Sequence, residues 1–461
     1  MRKYLYILTL LVALMGCNKA DDIVTTSSEA RVNTFTFYKD TTNLGLTETT
    51  YIVEHLSDTG RIYSRDSLRY GTRLDSVVPL VTYKATPGSA VFYLPNDTVM
   101  STGADTLDFT KDPIYLEVQS SDFENKRVYR IDIKVHQQDP NLYVWKRVSS
   151  NLFSPQSAPQ YCDMKAFYMG GVISVFVNDG FRTSIHQSVD GSFWKEIDAP
   201  TGLPTPCAVR DILQHQDRLY YVDGGIIYTT DNMVDWTTVE YTSTDYSVVN
   251  MLVAFDDKPW CILQHRLSEQ YISDEQKPLY LGVLQGGDVV PMKDIYGLQN
   301  GALPQNFPVS DFAALPFRSS SERPRAMIVG GRTMDGTAVN TRWNLEYELS
   351  AGYRMVDFSI EQPSFNSLTG ISIIQYNNHL IMFGGIDNDL TYRSNILYSY
   401  DEGMNWSVPD TAQNRLPEDY NSRQKPSVVV DGDDNIYIIG GQNNTQAFSD
   451  VYRGYLNSMK W

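Results

Sequence analysis

Hydrophobic and polar positions along this chain fall into short alternating runs separated by Gly, Asn and Asp, and no stretch keeps a helical period. The clearest unit spans Gln375 to Trp406. A polar turn, Gln375-Tyr376-Asn377-Asn378, leads into the apolar strand His379-Leu380-Ile381-Met382-Phe383, which ends in Gly384-Gly385. A second strand then enters Ser399-Tyr400-Asp401-Glu402-Gly403-Met404-Asn405-Trp406, with the spacing Ser-x-Asp-x-Gly-x-x-Trp. Runs of this length bounded by turn residues predict β-strands.

The unit recurs. Leu213 to Gly225 and Val430 to Gly441 repeat strand, polar turn, apolar strand and double glycine, and Arg325 to Gly331 repeats it without the turn. Gly331 and Gly385 lie 54 residues apart, and Gly385 and Gly441 lie 56 apart. That pitch is close to the roughly 50 residues of kelch propeller blades. The second signal returns as Thr229 to Trp236, with Met233 in the glycine place, and as Ser188 to Trp194, one residue shorter. Six blades are predicted, starting near Tyr161, Pro206, Val248, Val309, Thr369 and Pro426. The chain ends where the sixth blade needs its outer strand, and Tyr143-Val144-Trp145-Lys146-Arg147-Val148 looks like the Trp-led outer strand of the other blades. It is expected to close the ring, which removes exposed sheet edges.

Upstream, residues 31–138 alternate as a sandwich does. Val32, Thr34, Thr36 and Tyr38 are expected on one face and Asn33, Phe35 and Phe37 on the other. Short strands then follow at regular spacing up to Val128-Tyr129-Arg130-Ile131-Asp132-Ile133-Lys134-Val135. This part resembles the Ig-like or cadherin-like modules that space bacterial lipoproteins from a membrane. The fold class expected is all-β: an N-terminal Ig-like β-sandwich followed, over residues 141–461, by a six-bladed kelch-like β-propeller. His136 to Pro140 reads as the linker.

Composition sharpens the picture in three places. The formal charge of −17, without a basic stripe, argues against nucleic acid as a partner. At the N-terminus Arg2 and Lys3 precede an apolar run, Tyr4 to Met15, too short to span a bilayer and suited to a signal-peptide core. Leu14-Met15-Gly16-Cys17 resembles a bacterial lipobox, which implies cleavage before Cys17, acylation of that residue, and residues 18–30 as a tether. Lys19-Ala20-Asp21-Asp22 is similar to the acidic export tags of Bacteroidetes surface lipoproteins, and an outer-membrane location, on the periplasmic or the cell-surface face, is expected. The remaining cysteines, Cys162, Cys207 and Cys261, are odd in number and widely spaced, and fit neither a disulfide framework nor a zinc pattern. They read as small core residues, with a Cys162–Cys207 bridge between neighbouring blades as the alternative.

The double glycines resemble kelch repeats, and the Ser-x-Asp-x-Gly-x-x-Trp turns resemble the Asp-box of sialidases and related propellers. The resemblance gives Asp190, Asp231 and Asp401, with Trp194, Trp236 and Trp406, a role in building blades. A sialidase would also need an arginine triad with one Arg in an Arg-Ile-Pro context, and Arg-Ile-Pro does not occur. Galactose oxidase, another kelch-type enzyme, would need a Tyr/Cys/His copper site, and the six His are not spaced as zinc or copper ligands. Asp431-Gly432-Asp433-Asp434-Asn435 starts like a calcium loop but lacks the later Gly and Glu, and reads as a hairpin turn. No catalytic residue, metal site or cofactor is expected.

Candidate ligand contacts are the polar residues just after the double glycines, Arg332 and Asp335, then Asp387 to Asp389 with Arg393, and Asn443-Asn444. Arg210 joins them at the start of the second blade, where a guanidinium aimed into the channel suits carboxylates or vicinal hydroxyls. Ion pairing at the surface or between blades is their competing role. Nearly the whole chain resembles Bacteroidetes lipoproteins with this domain order. The function expected is a membrane-anchored, non-catalytic protein that binds a glycan or a protein through its propeller face. The alternative is a carbohydrate-active enzyme, a sialic acid mutarotase-like protein or a glycosidase, on the same scaffold.

Overall fold

A computed structural model describes residues 26–57, 59–152, 162–242, 245–266, 277–359, 365–409 and 416–457. The apolar run, Cys17 and the tether up to residue 25 lie outside the described residues. The chain divides into two compact units, Met1–Asp139 and Pro140–Trp461.

In the first unit the strands Tyr51–His55, Thr59–Ser64, Lys126–Asp132, Ile114–Gln119, Ser89–Leu94 and Asp97–Met100 lie side by side in that order, and Val32–Phe37 pairs with Pro79–Tyr83 in a second sheet. Six strands against two is a more lopsided division than the four against three of an Ig constant-type domain. The core is aromatic. Phe37 meets Phe35, Tyr51 and Phe109 edge-on at centroid distances of 5.3, 5.3 and 5.2 Å, the arrangement ring quadrupoles favour. Strict alternation puts Val32 opposite Phe35, yet both are buried. The ladder shifts register between Val32 and Thr34, and this bulge returns Val32 to the core face.

The second unit is a ring of six sheets, so the all-β expectation and the six blades stand. Blade 1 runs outward through Asp163–Met169, Val172–Asn178, Thr183–Ser188 and Lys195–Glu196, and blades 2 and 3 repeat the four-stranded meander from Leu213–His215 and from Tyr246–Phe255. Blade 4, from Ala313–Arg318, gains a fifth strand, Ile295–Tyr296, parallel to its outermost one. Blade 5 has three strands from Leu368–Tyr376, and the bridge Tyr398–Ser407 stands in place of the fourth. In blade 6 the strands Ser427–Val430, Ile436–Ile439 and Val451–Leu456 are completed by Tyr143–Ser149. The ring therefore closes through the first strand of the unit, as its Trp-led pattern predicted. Trp145 lies across Gly454, where an added Cβ would come within 2.1 Å of the indole.

Both faces of each blade are buried, and the alternation along a strand assigns each side chain to one neighbour. Leu219 and Tyr221 pack with Phe167, Phe176 and Ile185 of blade 1. Tyr220 and Val222, from the same strand, pack with Val248, Met251 and Cys261 of blade 3. Similar cores join blades 3 and 4, 4 and 5, 5 and 6, and 6 and 1. This explains why the second strands read as continuous apolar runs. Cys162, Cys207 and Cys261 are free thiols in these cores, as small buried residues should be.

The glycines form the joints between blades. Gly384 has φ 65°, and a Cβ there would meet the Pro426 ring at 2.7 Å and the Arg423 carbonyl at 2.8 Å. Gly385 N–H donates to that carbonyl at 3.1 Å. Backbone freedom and close approach are both required. The turns on the opposite face form by side-chain capping. Ser399 Oγ accepts from Gly403 N–H at 2.7 Å, Asp401 Oδ1 from Asn405 N–H at 2.8 Å, and Trp406 Nε1 donates to Gly403 O at 3.2 Å. Blade 2 departs from the expected roles. Asn232, not Asp231, accepts the turn amides of Val234 and Asp235, at 3.0 and 2.8 Å. Met233 takes φ 71° in the glycine place. Counted back from Trp236, the acceptor sits where Asp190 sits in blade 1, so the shorter spacing governs both. Asp431 is likewise a turn residue: its carboxylate accepts the Asp433 and Asn435 amides at 2.9 and 2.8 Å.

Candidate functional site

The six innermost strands converge on an axial channel, and the double glycines lie at the end where those strands begin. A Cβ on Gly331 would meet Ser310 O, one on Gly385 Thr369 O, and one on Gly441 Gln424 O. At this mouth the residues before the apolar inner strands carry charge. Lys425 Nζ lies 3.7 Å from Asp163 Oδ1 and 3.8 Å from Asp311 Oδ1, and Arg332 Nε lies 3.3 Å from Asp311 Oδ2. Four side chains from blades 1, 4 and 6 thus form one ion-paired network.

Beside it lies a groove of about 560 Å³, lined among others by Arg332, Thr369, Asp387, Tyr392, Gln424 and Asn444. Here Arg332, Asp387, Asn388 and Asn444, four of the residues expected to contact ligand, come together. Arg332 is also held by Gly336 O at 3.0 Å. Asp387 Oδ1 accepts the Asp389 and Thr391 amides at 3.0 and 2.9 Å, so it shapes the loop and offers its other oxygen. The remaining predicted residues do not line the groove. Asp335 caps its own turn, where the Thr333 hydroxyl and Thr337 amide hold its carboxyl below the ordinary range. Asp389 is exposed on the loop tip. Arg393 is half-buried, and desolvation lowers its pKa.

Arg210 is in the channel, as expected. It sits in the one-turn helix Val209–Asp211, and its guanidinium crosses the axis, with Nη2 2.7 Å from Ile371 O of blade 5 and Nη1 3.5 Å from Pro426 O at the entry to blade 6. A cavity of about 100 Å³ remains around it, walled by inner strands of all six blades. Two charged groups in this cavity were not among the predicted contacts. Burial pushes the Lys165 ammonium down to about 8. Burial also raises the Asp211 carboxyl to about 6, opposed by a hydrogen bond with Asn250 and reinforced by Asp311 and Asp163. A positional signal was present: Asp163 opens the inner strand Asp163–Met169, and Asp211, Asp311 and Lys425 each lie two residues before an inner strand.

These features define a closed six-bladed β-propeller with a charged axial mouth, joined to a separate β unit. The chain belongs to the DUF6242 family: its beta propeller domain matches residues 139–461, and its N-terminal domain, a domain of unknown function, matches residues 23–133. Among solved structures, the one titled "Structure of YjhT" aligns over 64% of this chain and 95% of that chain, at 10% identity and a TM-score of 0.44. No curated protein matches the chain.

Proposed function

We propose that this is a lipid-anchored outer-membrane protein, displayed on the periplasmic or cell-surface face, that binds a glycan at the double-glycine face of its propeller. The observation that carries the reading is the groove itself: a guanidinium, an aromatic ring, two primary amides and a carboxylate, from Arg332, Tyr392, Gln424, Asn444 and Asp387, surround one space of about 560 Å³. Amides and guanidinium match the paired hydroxyls of a sugar, and an aromatic ring covers its apolar face. Blade joints fix the backbone around the groove, so ordering it costs little on binding. The anchor rests on Cys17 and the apolar run before it.

The enzyme reading finds less support. A glycosidase needs two free carboxylates roughly 5–9.5 Å apart. Asp163 and Asp311 converge at the mouth, but both are engaged by Lys425, and Asp311 also by Arg332. A glycan array probed with the purified full chain tests the binding reading. Bound glycans are expected to be lost, tenfold or more, in Arg332→Ala and Tyr392→Ala. Failure of every glycan to bind, equal binding by both variants, or turnover of aryl glycosides would each overturn it. For the anchor, Cys17→Ala should release the protein from membranes, and retention of that variant would refute acylation.

A further inference from the structure

We infer that the axial cavity is a small-oxyanion site, holding either an inorganic oxyanion or the terminal carboxylate of a larger ligand between Lys165 and Arg210. Two half-buried cations face this space, and their contacts are few. Lys165 Nζ donates to Arg210 O at 3.3 Å, and the Arg210 guanidinium donates to the carbonyls of Ile371 and Pro426. Among the described residues, no carboxylate stands within 4 Å of either one. The contrast with the mouth is direct: Lys425 and Arg332 each have an aspartate. Asp211 and Asp163 act on Lys165 only at longer range. Charges withdrawn from water are normally paired or bound by a ligand, so two cations sharing a cavity call for an anion.

Asp211 is the one carboxylate on the cavity wall among the described residues, and it forms no ion pair with either cation; neutral groups complete the site. Ser427 Oγ accepts the Ala166 amide at 2.7 Å, which leaves its own proton to donate into the cavity. Ser372 is committed to Pro426 O at 2.5 Å. The remaining lining from blades 3, 5 and 6 carries no titratable group, being Met251, Leu252, Ile371, Ile373 and Val428. Size sets the ligand class. About 100 Å³ accommodates a few water-sized groups at roughly 30 Å³ each, enough for a tetrahedral oxyanion or a carboxylate and too little for a sugar ring. The cavity and the groove share no lining residue, so each site is tested separately.

Isothermal titration of the full chain decides the matter, with sodium phosphate and sodium acetate in a zwitterionic buffer, and with glucuronate against glucose. Saturable 1:1 binding of phosphate or acetate identifies a free oxyanion. A tenfold preference for glucuronate over glucose, with no binding of the two simple anions, identifies a ligand carboxylate. In either case Lys165→Met should weaken binding tenfold or more, Lys165→Arg should retain it within about threefold, and Ser427→Ala should fall between. Arg61→Ala, in the first unit, should leave it unchanged. Binding of none of these anions, equal binding of glucuronate and glucose, or unaltered anion affinity in both Lys165→Met and Ser427→Ala overturns the inference.

Discussion

Ring closure in blade 6 depends on one buried guanidinium, and removing it should loosen the whole propeller. Arg423 is fully buried, with its guanidinium between the rings of Tyr420 and Phe448 at 4.2 and 3.9 Å. Nη1 and Nη2 engage both oxygens of Asp450 at 2.5 and 3.2 Å, Nη1 also reaches Gly440 O at 3.0 Å, and Nε reaches Asn421 O at 2.8 Å. Asp450 directly precedes Val451–Leu456, the strand on which Tyr143–Ser149 closes the ring, and Arg147 of that closing strand lies 3.9 Å from Asp450 and 3.2 Å from Asp419. Arg423→Ala would leave a buried carboxylate facing only the distant Arg147. Breaking a buried pair from one side costs about 3–5 kcal/mol. At about 2 °C per kcal/mol for a unit of this size, the propeller transition should fall by roughly 6–10 °C in calorimetry. Arg423→Met combined with Asp450→Leu removes both charges and should recover most of the loss, because an apolar pair of similar volume replaces a buried ion pair at little cost. If the double variant melts no higher than Arg423→Ala, the pair is not what holds the closing sheet.

Three further outcomes are expected. Gly384→Ala adds left-handed backbone strain, about 1–2 kcal/mol, to a clash with Pro426 and Arg423 worth about 1–3 kcal/mol, whereas Gly170→Ala, at φ 58° with open space around it, should cost only the strain; equal melting temperatures would refute the blade-joint role. In blade 2, Asn232→Ala should destabilise by about 1 kcal/mol by removing the one acceptor that serves two backbone amides and Asp231→Ala by less than about 0.5 kcal/mol, with urea midpoints as the readout; the reverse order would restore Asp231 to the turn. Anion affinity at the axial cavity should decrease steadily from pH 5.5 to 9, because Asp211 gains negative charge above about 6 and Lys165 loses positive charge above about 8; affinity that rises over this range would contradict the assignment, the other facing groups being Arg210 and, at longer range, Asp163 and Asp311.

The propeller was legible in the sequence because its construction rules are local. A strand buried on both faces must be apolar at nearly every position, as in Leu380 to Phe383, and a joint that meets the next blade at 2.7 Å admits only glycine. Such constraints recur once per blade and survive in the order of residues. Single events were not legible. The bulge at Val32 is a register choice made by the partner strand, and Asn232 replaced Asp231 because two turn spacings differ by one residue and either acidic or amide oxygen can cap.

The candidate site divides along the same line. Residues after the double glycines lie near the mouth, since the glycine marks where a strand leaves the ring, but side-chain direction there depends on the loop. Arg332 and Asp387 turn into the groove while Asp335 is used up inside its own turn. Arg210 could be foreseen because it opens a blade. Lys165 sits within an inner strand between Met164 and Ala166, and along such a strand alternation assigns one face to one neighbour and the other to the next. Met164 and Ala166 belong to the core shared with blade 6. Lys165 lies on the other face, the one that carries Phe167 toward blade 2, and its ammonium donates to Arg210 O of that blade while it lines the axial cavity. Its charge, set between Met164 and Ala166 in the core, is the sequence signal that points to the channel here.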